Sequence, residues 1–448
     1  MKKQNIYQLT HYGRIGGAPR YQDFMGVACD SRLVQAGNLF VAMKGAQTDG
    51  HQFLKEVSEK GAVAAIVHDD YSGPHYGLTL IFVHDPLDTL QQLARDLLAR
   101  QHSRVIAITG SLGKTTTKEF LFTLLNGKYK VLRTPGNNNS QIGLPLALLN
   151  GLEGDEQVVI CEMGMTHAGN IAKLVKIAPP YLGIITCVEP VHACNFSGIE
   201  GISQAKAEIF SHSLTSFGLL DSSVEGLKKL HQHHKPKIFT FSKENKHADF
   251  IFDIYPDGTL AIKGVNGVAA EFPPMHLPAK HNGYNFLIAA VAAYLIGMSW
   301  TEIAQRQPLL TLPERRLQFI EKKGILFVND SYNASMVAVK AALDALPVPK
   351  KQGRTIAALG EMLELGDLTE KHHRAVGEHA LTTVDEIFCL GEGCKPIEDV
   401  WKVNKKPCHL FIERNELIDA LRKTVQPGDV VLVKGSRLKQ MWKVIEEI

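Results

Sequence analysis

A glycine-rich loop between a predicted strand and a predicted helix constrains this chain more than any other sequence feature. The apolar run 105–109 leads into GSLGKTT at 110–116, and a helical pattern follows. Backbone N–H groups in such a loop point inward and, with the positive end of the helix dipole, hold phosphate oxygens. The spacing is one residue shorter than the full phosphate-loop pattern unless Thr109 replaces the first glycine. The loop predicts a nucleotide site formed by Gly110, Ser111, Gly113, Lys114, Thr115 and Thr116.

Three side chains after the predicted strands are candidates to complete this site. Glu162 lies near the end of the apolar run 158–164, at the carboxyl edge where ligands gather in parallel sheets. Such an acid can also cap a helix, but beside a phosphate loop we interpret it as a Mg²⁺ ligand. By themselves, His192 after the run 182–188 and Lys206 on a helical pattern indicate no more than a loop histidine and a helix-face lysine.

Composition and charge limit the class of protein. Of the 448 residues, 45% are hydrophobic and 21% charged, which excludes a disordered or low-complexity chain. The formal net charge of +3 argues against a dedicated nucleic-acid-binding or membrane-surface protein. The seven cysteines are scattered, the N-terminus lacks the apolar run of a signal peptide, and the longest apolar stretch, 286–298, is too short to cross a bilayer. We therefore expect a cytosolic protein with reduced thiols, no nucleic-acid partner and no membrane insertion.

Changes of pattern along the chain predict an α/β protein of three domains. Residues 1–85 carry short apolar runs typical of a small mixed α/β domain. Residues 86–313 alternate strand and helix patterns, as parallel βαβ units do, with a hairpin-rich stretch at 245–272. Residues 314–448 contain five apolar runs, each followed by a helical pattern, which predicts a second, Rossmann-like domain. The sequence LPERR at 312–316 is the predicted hinge between them.

The phosphate loop and further motifs together resemble the Mur ligase family, the ATP-dependent amide-forming enzymes of peptidoglycan synthesis. The resemblance covers nearly the whole chain, and it is greatest to the members that add D-alanyl-D-alanine. The further motifs, in the order of the family, are DSRLVQAGNLFVAMKGAQTDGHQF (30–53), GNNNSQIGLPLALL (136–149), EMGMTHAGNI, QAKAEIF, HNGYN, RLQF, NDSYNA, LGEMLELG and VLVKGSR.

The resemblance implies catalytic and metal-binding roles for individual residues. Lys114 and Thr115 would bind ATP phosphates and Mg²⁺, while Glu162 and His192 would ligate a second Mg²⁺ ion. Lys206 matches the lysine that such ligases carry as a carbamate, which can hold metal as a carboxylate does. The residues with implied catalytic roles are Lys114, Lys206, His192 and Arg316, and those with implied metal contacts are Thr115, Glu162, His192 and Lys206.

The resemblance also implies where the nucleotide and the substrates bind. Further nucleotide contacts are Asn282 and Asn285 near the adenine, Arg316 at the γ-phosphate, and Asp330 and Tyr332 in the C-terminal domain. Implied substrate contacts are Ser31, Lys44, Gly45 and Thr48 for the uridine nucleotide, with Asn137, Asn138, Asn333 and Arg437 for other parts of the substrates. Arg437 follows a predicted strand, and its planar guanidinium would suit the carboxylate of an incoming dipeptide.

The implied reaction joins D-alanyl-D-alanine to UDP-N-acetylmuramoyl-tripeptide through an acyl phosphate, in a cytoplasmic monomer. Three alternatives stay open. The first is a Mur-type ligase for another amine, suggested by the sequence SMVAV at 335–339, where the family usually has a sequence similar to NPDSM. Two further departures from the family pattern are Leu112 and Ser140, which occupy positions where asparagine is usual. A folylpolyglutamate-type ligase is disfavoured by the stretch 30–53. The third alternative is a P-loop ATPase that is not a ligase. It is disfavoured because the chain has four residues to which the resemblance assigns catalysis or metal binding: Lys114, Glu162, His192 and Lys206.

Overall fold

The computed structural model describes residues 3–16, 20–45, 48–190, 195–196, 198–222, 236–264, 269–350 and 352–448. The strands in these ranges are β1 Gln4–Asn5, β2 Arg14–Gly16, β3 Asp23–Phe24, β4 Val27–Ala28, β5 Leu39–Val41, β6 Ala64–His68, β7 Thr79–Val83, β8 Arg104–Thr109, β9 Val131–Arg133, β10 Val158–Glu162, β11 Leu182–Ile185, β12 Phe217–Asp221, β13 Lys237–Ser242, β14 Phe250–Ile254, β15 Leu260–Gly264, β16 Ala269–Phe272, β17 Gln318–Lys322, β18 Ile325–Asn329, β19 Thr355–Gly360, β20 Glu386–Leu390, β21 Cys408–Phe411 and β22 Val430–Lys434. The α-helices are α1 Leu54–Glu59, α2 Pro86–Ala99, α3 Lys114–Leu125, α4 Gly143–Gly151, α5 Asn170–Ile177, α6 Gly198–Ala207, α7 Lys280–Ile296, α8 Trp300–Arg306, α9 Met336–Asp344, α10 Thr369–Ala380, α11 Lys395–Val403, α12 Arg414–Thr424 and α13 Trp442–Glu447. Three domain-sized sheets and a small β1–β3 ribbon give the α/β fold that the sequence predicts.

The N-terminal sheet has the order β2-β7-β6-β5-β4. Strands β4 to β7 are parallel, and β2 is antiparallel to β7 at the edge. The helix α2 follows this sheet and begins at Pro86, where Asp85 accepts hydrogen bonds from the backbone N–H groups of Leu87 and Asp88. A proline in the first turn and an aspartate N-cap fix this start, as the sequence pattern indicates.

The central sheet has nine strands in the order β16-β15-β14-β13-β12-β11-β8-β10-β9. Its strands from β9 to β14 are parallel, whereas β14, β15 and β16 form antiparallel hairpins. The hairpins predicted within 245–272 therefore exist, but they extend the central sheet instead of standing apart from it. Because β8 lies between β10 and β11, the loops that follow these three strands share one edge of the sheet.

The C-terminal sheet has the order β17-β18-β22-β19-β20-β21. The five strands expected from the apolar runs are parallel, and β17 is an additional antiparallel edge strand. The sequence of β17 is QFIEK and its side chains are largely exposed, so it carries no apolar run by which to predict it. The junction between central and C-terminal sheets lies between α8 and β17.

The helix α7 is buried along most of its length and packs beside α3 against the central sheet. The apolar stretch 286–298 falls on this helix and just beyond its end, which explains why it has no polar face. Within the described residues, none of the helices has both the length and the apolar composition to cross a bilayer. The start of α7 places Asn285 beside Gly113 of the phosphate loop.

Candidate active site

The phosphate loop connects β8 to α3 and depends on two glycines. Gly110 and Gly113 have φ angles of 151° and 80°, a region that L side chains rarely adopt. A Cβ atom at Gly110 would lie 1.9 Å from Thr186 Oγ1, and one at Gly113 would lie 2.5 Å from Asn285 Oδ1. Backbone conformation and close neighbours thus both require glycine at these two positions.

Gly113→Ala is expected to weaken ATP binding at least about tenfold, because Asn285 must move and the loop must change its conformation. The matched control is Gly169→Ala. Gly169 has a φ of 84°, close to that of Gly113, but a Cβ atom there would meet no heavy atom within 4 Å. Titration calorimetry with ATP and Mg²⁺ would separate the two effects. Equal ATP affinity in the two variants would show that the Asn285 contact has no role.

Lys114 extends back over the loop from the first turn of α3. Its Nζ donates hydrogen bonds to the carbonyl oxygens of Gly110, at 2.6 Å, and Ser111, at 3.2 Å. Burial lowers the pKa of Lys114, and the nearby Glu162 carboxylate opposes that shift. The side chain therefore places a desolvated cation at the loop where phosphate oxygens are expected to bind.

Residues 186–189, which follow β11, brace the loop from the side. Thr186 Oγ1 donates to the carbonyl oxygen of Leu112 at 2.5 Å. The Ser111 hydroxyl donates to the carbonyl oxygen of Glu189 and accepts from the backbone N–H of Glu189, both at 2.8 Å. These bonds use the side chain of Ser111 structurally, and its backbone N–H donates to the carbonyl oxygen of Cys187 at 2.9 Å, so residues after β11 hold both parts of Ser111.

Glu162, the last residue of β10, is only 1% exposed and lies at the centre of the site. Its carboxylate accepts hydrogen bonds from Thr115 Oγ1 at 2.9 Å and from Asn139 Nδ2 at 2.8 Å. A hydroxyl and a carboxylate side by side are the oxygen donors that Mg²⁺ prefers. The pair Thr115 and Glu162 therefore fits a magnesium ion.

Lys118, a site residue that the sequence motifs did not predict, is fully buried one helical turn after Lys114. Its Nζ donates to the carbonyl oxygens of Thr134 and Gly136, both at 2.7 Å, and lies 3.7 Å from Glu162 Oε2. Lys118 thus joins α3 to the start of the asparagine-rich loop and offsets the buried charge of Glu162. A lysine four residues after Lys114, on the same helix face, is the sequence feature that indicates this role.

Lys206, near the end of α6, is 4% exposed. Burial, reinforced by the charge of Lys114, lowers the pKa of Lys206 to about 7. The amine is therefore substantially uncharged near neutral pH, as carbamate formation with CO₂ requires. His192, another predicted metal ligand, lies outside the described residues.

Lys206→Met is expected to make the protein more stable at pH 7 and to flatten its stability above that pH. In the wild type the unfolded chain keeps a Lys206 pKa near 10.5 while the folded chain has about 7. Between those values the unfolded state binds more protons, so stability rises with pH. Urea unfolding at pH 7, 8 and 9 in CO₂-free buffer tests this, with the exposed Lys173→Met as control. A wild-type slope identical to that of Lys206→Met would contradict it.

Arg316 reaches the phosphate loop from the junction before β17. Its Nη2 donates to Thr115 Oγ1 at 3.4 Å, and its guanidinium lies 4.3 Å from the centre of the Tyr332 ring. Among the described residues, the Arg316 Nε is buried and finds no hydrogen-bond acceptor. Such an unpaired donor suits an anionic ligand such as a phosphate oxygen.

The backbone on either side of Arg316 is strained. Arg315 and Leu317 have φ angles of 59° and 47°, which non-glycine residues adopt at some cost in free energy. Arg315 is held by its guanidinium, which lies 4.1 Å from the centre of the Trp442 ring. The N–H of Leu317 donates to Asp330 Oδ1 at 3.1 Å. Contacts with the C-terminal segment therefore maintain the conformation that aims Arg316 at Thr115.

The predicted C-terminal nucleotide contacts lie close together at the ends of β18 and β22. The Asp330 carboxylate forms an ion pair with Lys434, whose Nζ also donates to the carbonyl oxygen of Asn333 at 3.0 Å. Burial lowers the pKa of Lys434, while Asp330 opposes that shift. The Arg437 guanidinium lies 5.7 Å from the centre of the Tyr332 ring. Lys434 thus ties the NDSYNA and VLVKGSR motifs together.

The remaining predicted residues fall into two groups. Asn282 Nδ2 donates to the carbonyl oxygen of Pro278 at 2.6 Å at the start of α7, and Asn139, not Asn137 or Asn138, contacts Glu162. The predicted uridine contacts belong to loops of the N-terminal sheet. These predicted contacts are Ser31, Lys44, Gly45 and Thr48. Within the described residues, no hydrogen bond or ion pair joins any of them to the phosphate loop.

Three family models match the chain over most of its length. They are the Mur ligase family catalytic domain at residues 23–96, the Mur ligase middle domain at 108–293, and the Mur ligase glutamate ligase domain at 315–437. The chain therefore belongs to the Mur ligase family, as the phosphate loop and the later motifs predict.

Individual relatives show which members of that family the chain is similar to. The chain is 32% identical to UDP-N-acetylmuramoyl-tripeptide–D-alanyl-D-alanine ligase from Bacillus subtilis, over 96% of this chain and 94% of that protein. Its fold matches a crystal structure of MurF from Acinetobacter baumannii with a TM-score of 0.85, at 26% identity over 100% and 99% of the two chains. The MurF ligase from Thermotoga maritima in complex with ADP matches with a TM-score of 0.76, at 29% identity over 94% and 96%.

Proposed function

We propose that this chain is an ATP-dependent peptide ligase that adds D-alanyl-D-alanine to UDP-N-acetylmuramoyl-tripeptide. The observation that carries the proposal is the contact between Arg316 and Thr115, because it brings a cation from the C-terminal side of the chain to the phosphate loop. The Bacillus subtilis relative is named for these two substrates, and the Thermotoga maritima structure contains ADP. The first finding supports the same two peptide substrates here, and the second supports ATP as the nucleotide.

The reaction must overcome the poor leaving ability of hydroxide from a carboxylate. ATP transfers its γ-phosphoryl group to the terminal carboxylate of the tripeptide, which gives ADP and an acyl phosphate. The amine of D-alanyl-D-alanine then attacks the acyl carbon, a C–N bond forms, phosphate leaves, and the nitrogen loses a proton to solvent. Protein groups are needed mainly to position the reactants and to offset negative charge.

The residues of the site are suited to that task. Lys114 and Arg316 carry the charges that offset repulsion between the γ-phosphate and the substrate carboxylate. Asn285, at the start of α7, borders the phosphate loop, and Asn282 precedes it by one helical turn; the adenine is expected near these two residues. Tyr332, against which the Arg316 guanidinium stacks, orients that side chain from the C-terminal segment.

Thr115 and Glu162 are the residues that would hold a magnesium ion, and the ion would supply further charge neutralisation when bound. We propose a second ion held by Glu162 and His192, with Lys206 in its carbamate form as a further ligand. The burial of Lys206 supports this, because a neutral amine is the nucleophile that CO₂ requires.

The substrate-binding regions follow the predicted domains at 1–85, 86–313 and 314–448. We assign the uridine nucleotide to the first, and the dipeptide to the last, where Arg437 is exposed beside Tyr332. The unusual stretch 335–339 forms the start of α9, and Ser335 is the N-cap residue of that helix. We also propose that the protein acts as a monomer and in the cytoplasm, where ATP is supplied.

A panel of amines tests the proposed function. Protein, ATP, Mg²⁺ and UDP-N-acetylmuramoyl-tripeptide are incubated with D-alanyl-D-alanine, D-alanyl-D-lactate or single amino acids, and the products are identified by mass. The expected product contains D-alanyl-D-alanine, with one phosphate released per bond. Product with a different amine would favour the Mur-type alternative. Phosphate release without either peptide substrate would indicate a plain ATPase.

A further inference from the structure

Two histidines and an aspartate meet at the carboxyl ends of two neighbouring strands of the N-terminal sheet. His68 is the last residue of β6, Asp69 follows it, and His84 follows β7. His68 is paired in register with Val83, so the two histidines are neighbours, and their ring centroids lie 6.1 Å apart. We propose that this cluster, His68, Asp69 and His84, binds a divalent transition-metal ion such as Zn²⁺.

The donor atoms of the cluster converge. Nδ1 of His68 lies 3.0 Å from Asp69 Oδ1, and Nδ1 of His84 lies 3.5 Å from Asp69 Oδ2. One ligand atom from each of the three residues lies within 4.8 Å of the others. With zinc–ligand bonds of about 2.0–2.2 Å, the ligand atoms of a tetrahedral site lie roughly 3.3–3.6 Å apart. Small side-chain adjustments therefore suffice to place an ion among the three atoms.

The backbone that carries His68 is fixed by a buried histidine. The N–H of His68 donates to Nε2 of His51 at 3.0 Å, so Nδ1 of His51 carries the proton and donates to Asp49 at 2.6 Å. The His51 ring also stacks on Tyr71, with centroids 5.3 Å apart. Since these bonds hold the ligand-bearing turn before any ion arrives, metal binding requires little ordering of the chain.

Asp70 offers a further oxygen to the cluster. Its Oδ1 lies 2.9 Å from His68 Nδ1, and its Oδ2 accepts from Lys44 Nζ at 3.1 Å. The His84 side chain is 94% exposed, which leaves solvent access for an ion and for the water that would complete its coordination.

The type of ligand determines the type of metal. Two imidazole nitrogens with a carboxylate favour Zn²⁺, Co²⁺, Ni²⁺ or Cu²⁺, whereas Mg²⁺ and Ca²⁺ prefer oxygen ligands throughout. The cluster is therefore distinct in chemistry from Thr115 and Glu162, where oxygen donors alone meet. Without a metal the same groups would form exposed ion pairs that contribute little to stability.

Titration calorimetry of the full-length protein with ZnCl₂, in the presence of millimolar Mg²⁺, tests the proposal. One Zn²⁺ ion should bind, and His84→Ala should weaken that binding at least tenfold. His75→Ala, at an exposed histidine on the connection between β6 and β7, should leave it unchanged. Because His84 lies outside the core, its replacement does not threaten the fold, and His68→Gln provides a second variant.

Cobalt absorption identifies the ligands independently of affinity. Co²⁺ bound by the cluster should give visible bands without thiolate charge transfer, and His68→Gln should remove those bands. The proposal is wrong if Zn²⁺ fails to bind at millimolar concentration. It is also wrong if Zn²⁺ binds equally well to the wild type and to His84→Ala, or if the cobalt spectrum shows cysteine ligation.

Discussion

Replacing Lys114 by alanine is expected to lower the rate of ligation at least about 1,000-fold, because the variant loses the cation that offsets charge at the γ-phosphate. In the structure Lys114 Nζ contacts the carbonyl oxygens of Gly110 and Ser111, so its position over the loop is already established. Product mass and ADP release, followed together, measure the effect on ligation and on ATP consumption.

The matched control for Lys114→Ala is Lys173→Ala, at an exposed lysine of α5 in the same part of the chain. The control should retain the wild-type rate, and circular dichroism should show that both variants are folded. An unchanged rate of peptide joining in Lys114→Ala would remove the phosphate loop from the reaction and, with it, the proposed function.

Lys118→Met is expected to destabilise the protein by about 3–5 kcal/mol. Removing one member of a buried ion pair leaves the other charge uncompensated, and here Glu162 remains while the carbonyl oxygens of Thr134 and Gly136 also lose their donor. Urea unfolding measures the loss. Lys128→Met is the control, because Lys128 pairs with Glu302 at the surface and such pairs contribute at most about 1 kcal/mol.

A double-mutant cycle separates the charge of Lys118 from its contacts with the loop. If the ion pair with Glu162 dominates, Lys118→Met combined with Glu162→Gln should be less destabilised than the sum of the single variants. Strict additivity would show that Lys118 acts through the two carbonyl oxygens and through Glu119, whose Oε1 lies 3.4 Å from its Nζ, and that Glu162 tolerates burial without it.

Much of the fold could be predicted from sequence because its parallel strands are buried on both faces. The five apolar runs of the C-terminal sheet became β18 to β22, apart from their exact ends. The strand β17 escaped prediction because it lies at an edge and its sequence, QFIEK, carries no run of apolar residues. The hairpins of 245–272 were expected, but the local pattern does not encode the parallel pairing of β14 with β13 that joins them to the central sheet.

Within the site, sequence motifs predicted the residues of the phosphate loop but not the bonds among them. Glu162 was found because it follows a buried strand, whereas its partner Asn139 could not be chosen among three consecutive asparagines. Lys118 was missed because one lysine in a helix usually faces solvent. Arg316 matched a family motif, and its contact with Thr115 was visible only once the central and C-terminal sheets were placed together.

The left-handed turn at 315–317 determines what a C-terminally truncated fragment of the protein can do. The residues that maintain it, Trp442 and Asp330, come later in the chain than the arginine it orients. A fragment ending at 317 would keep the phosphate loop and Arg316 but would lose the groups that aim the guanidinium. Such a fragment should hydrolyse little ATP. A chain that terminates early during synthesis would therefore not deplete the ATP of the cell.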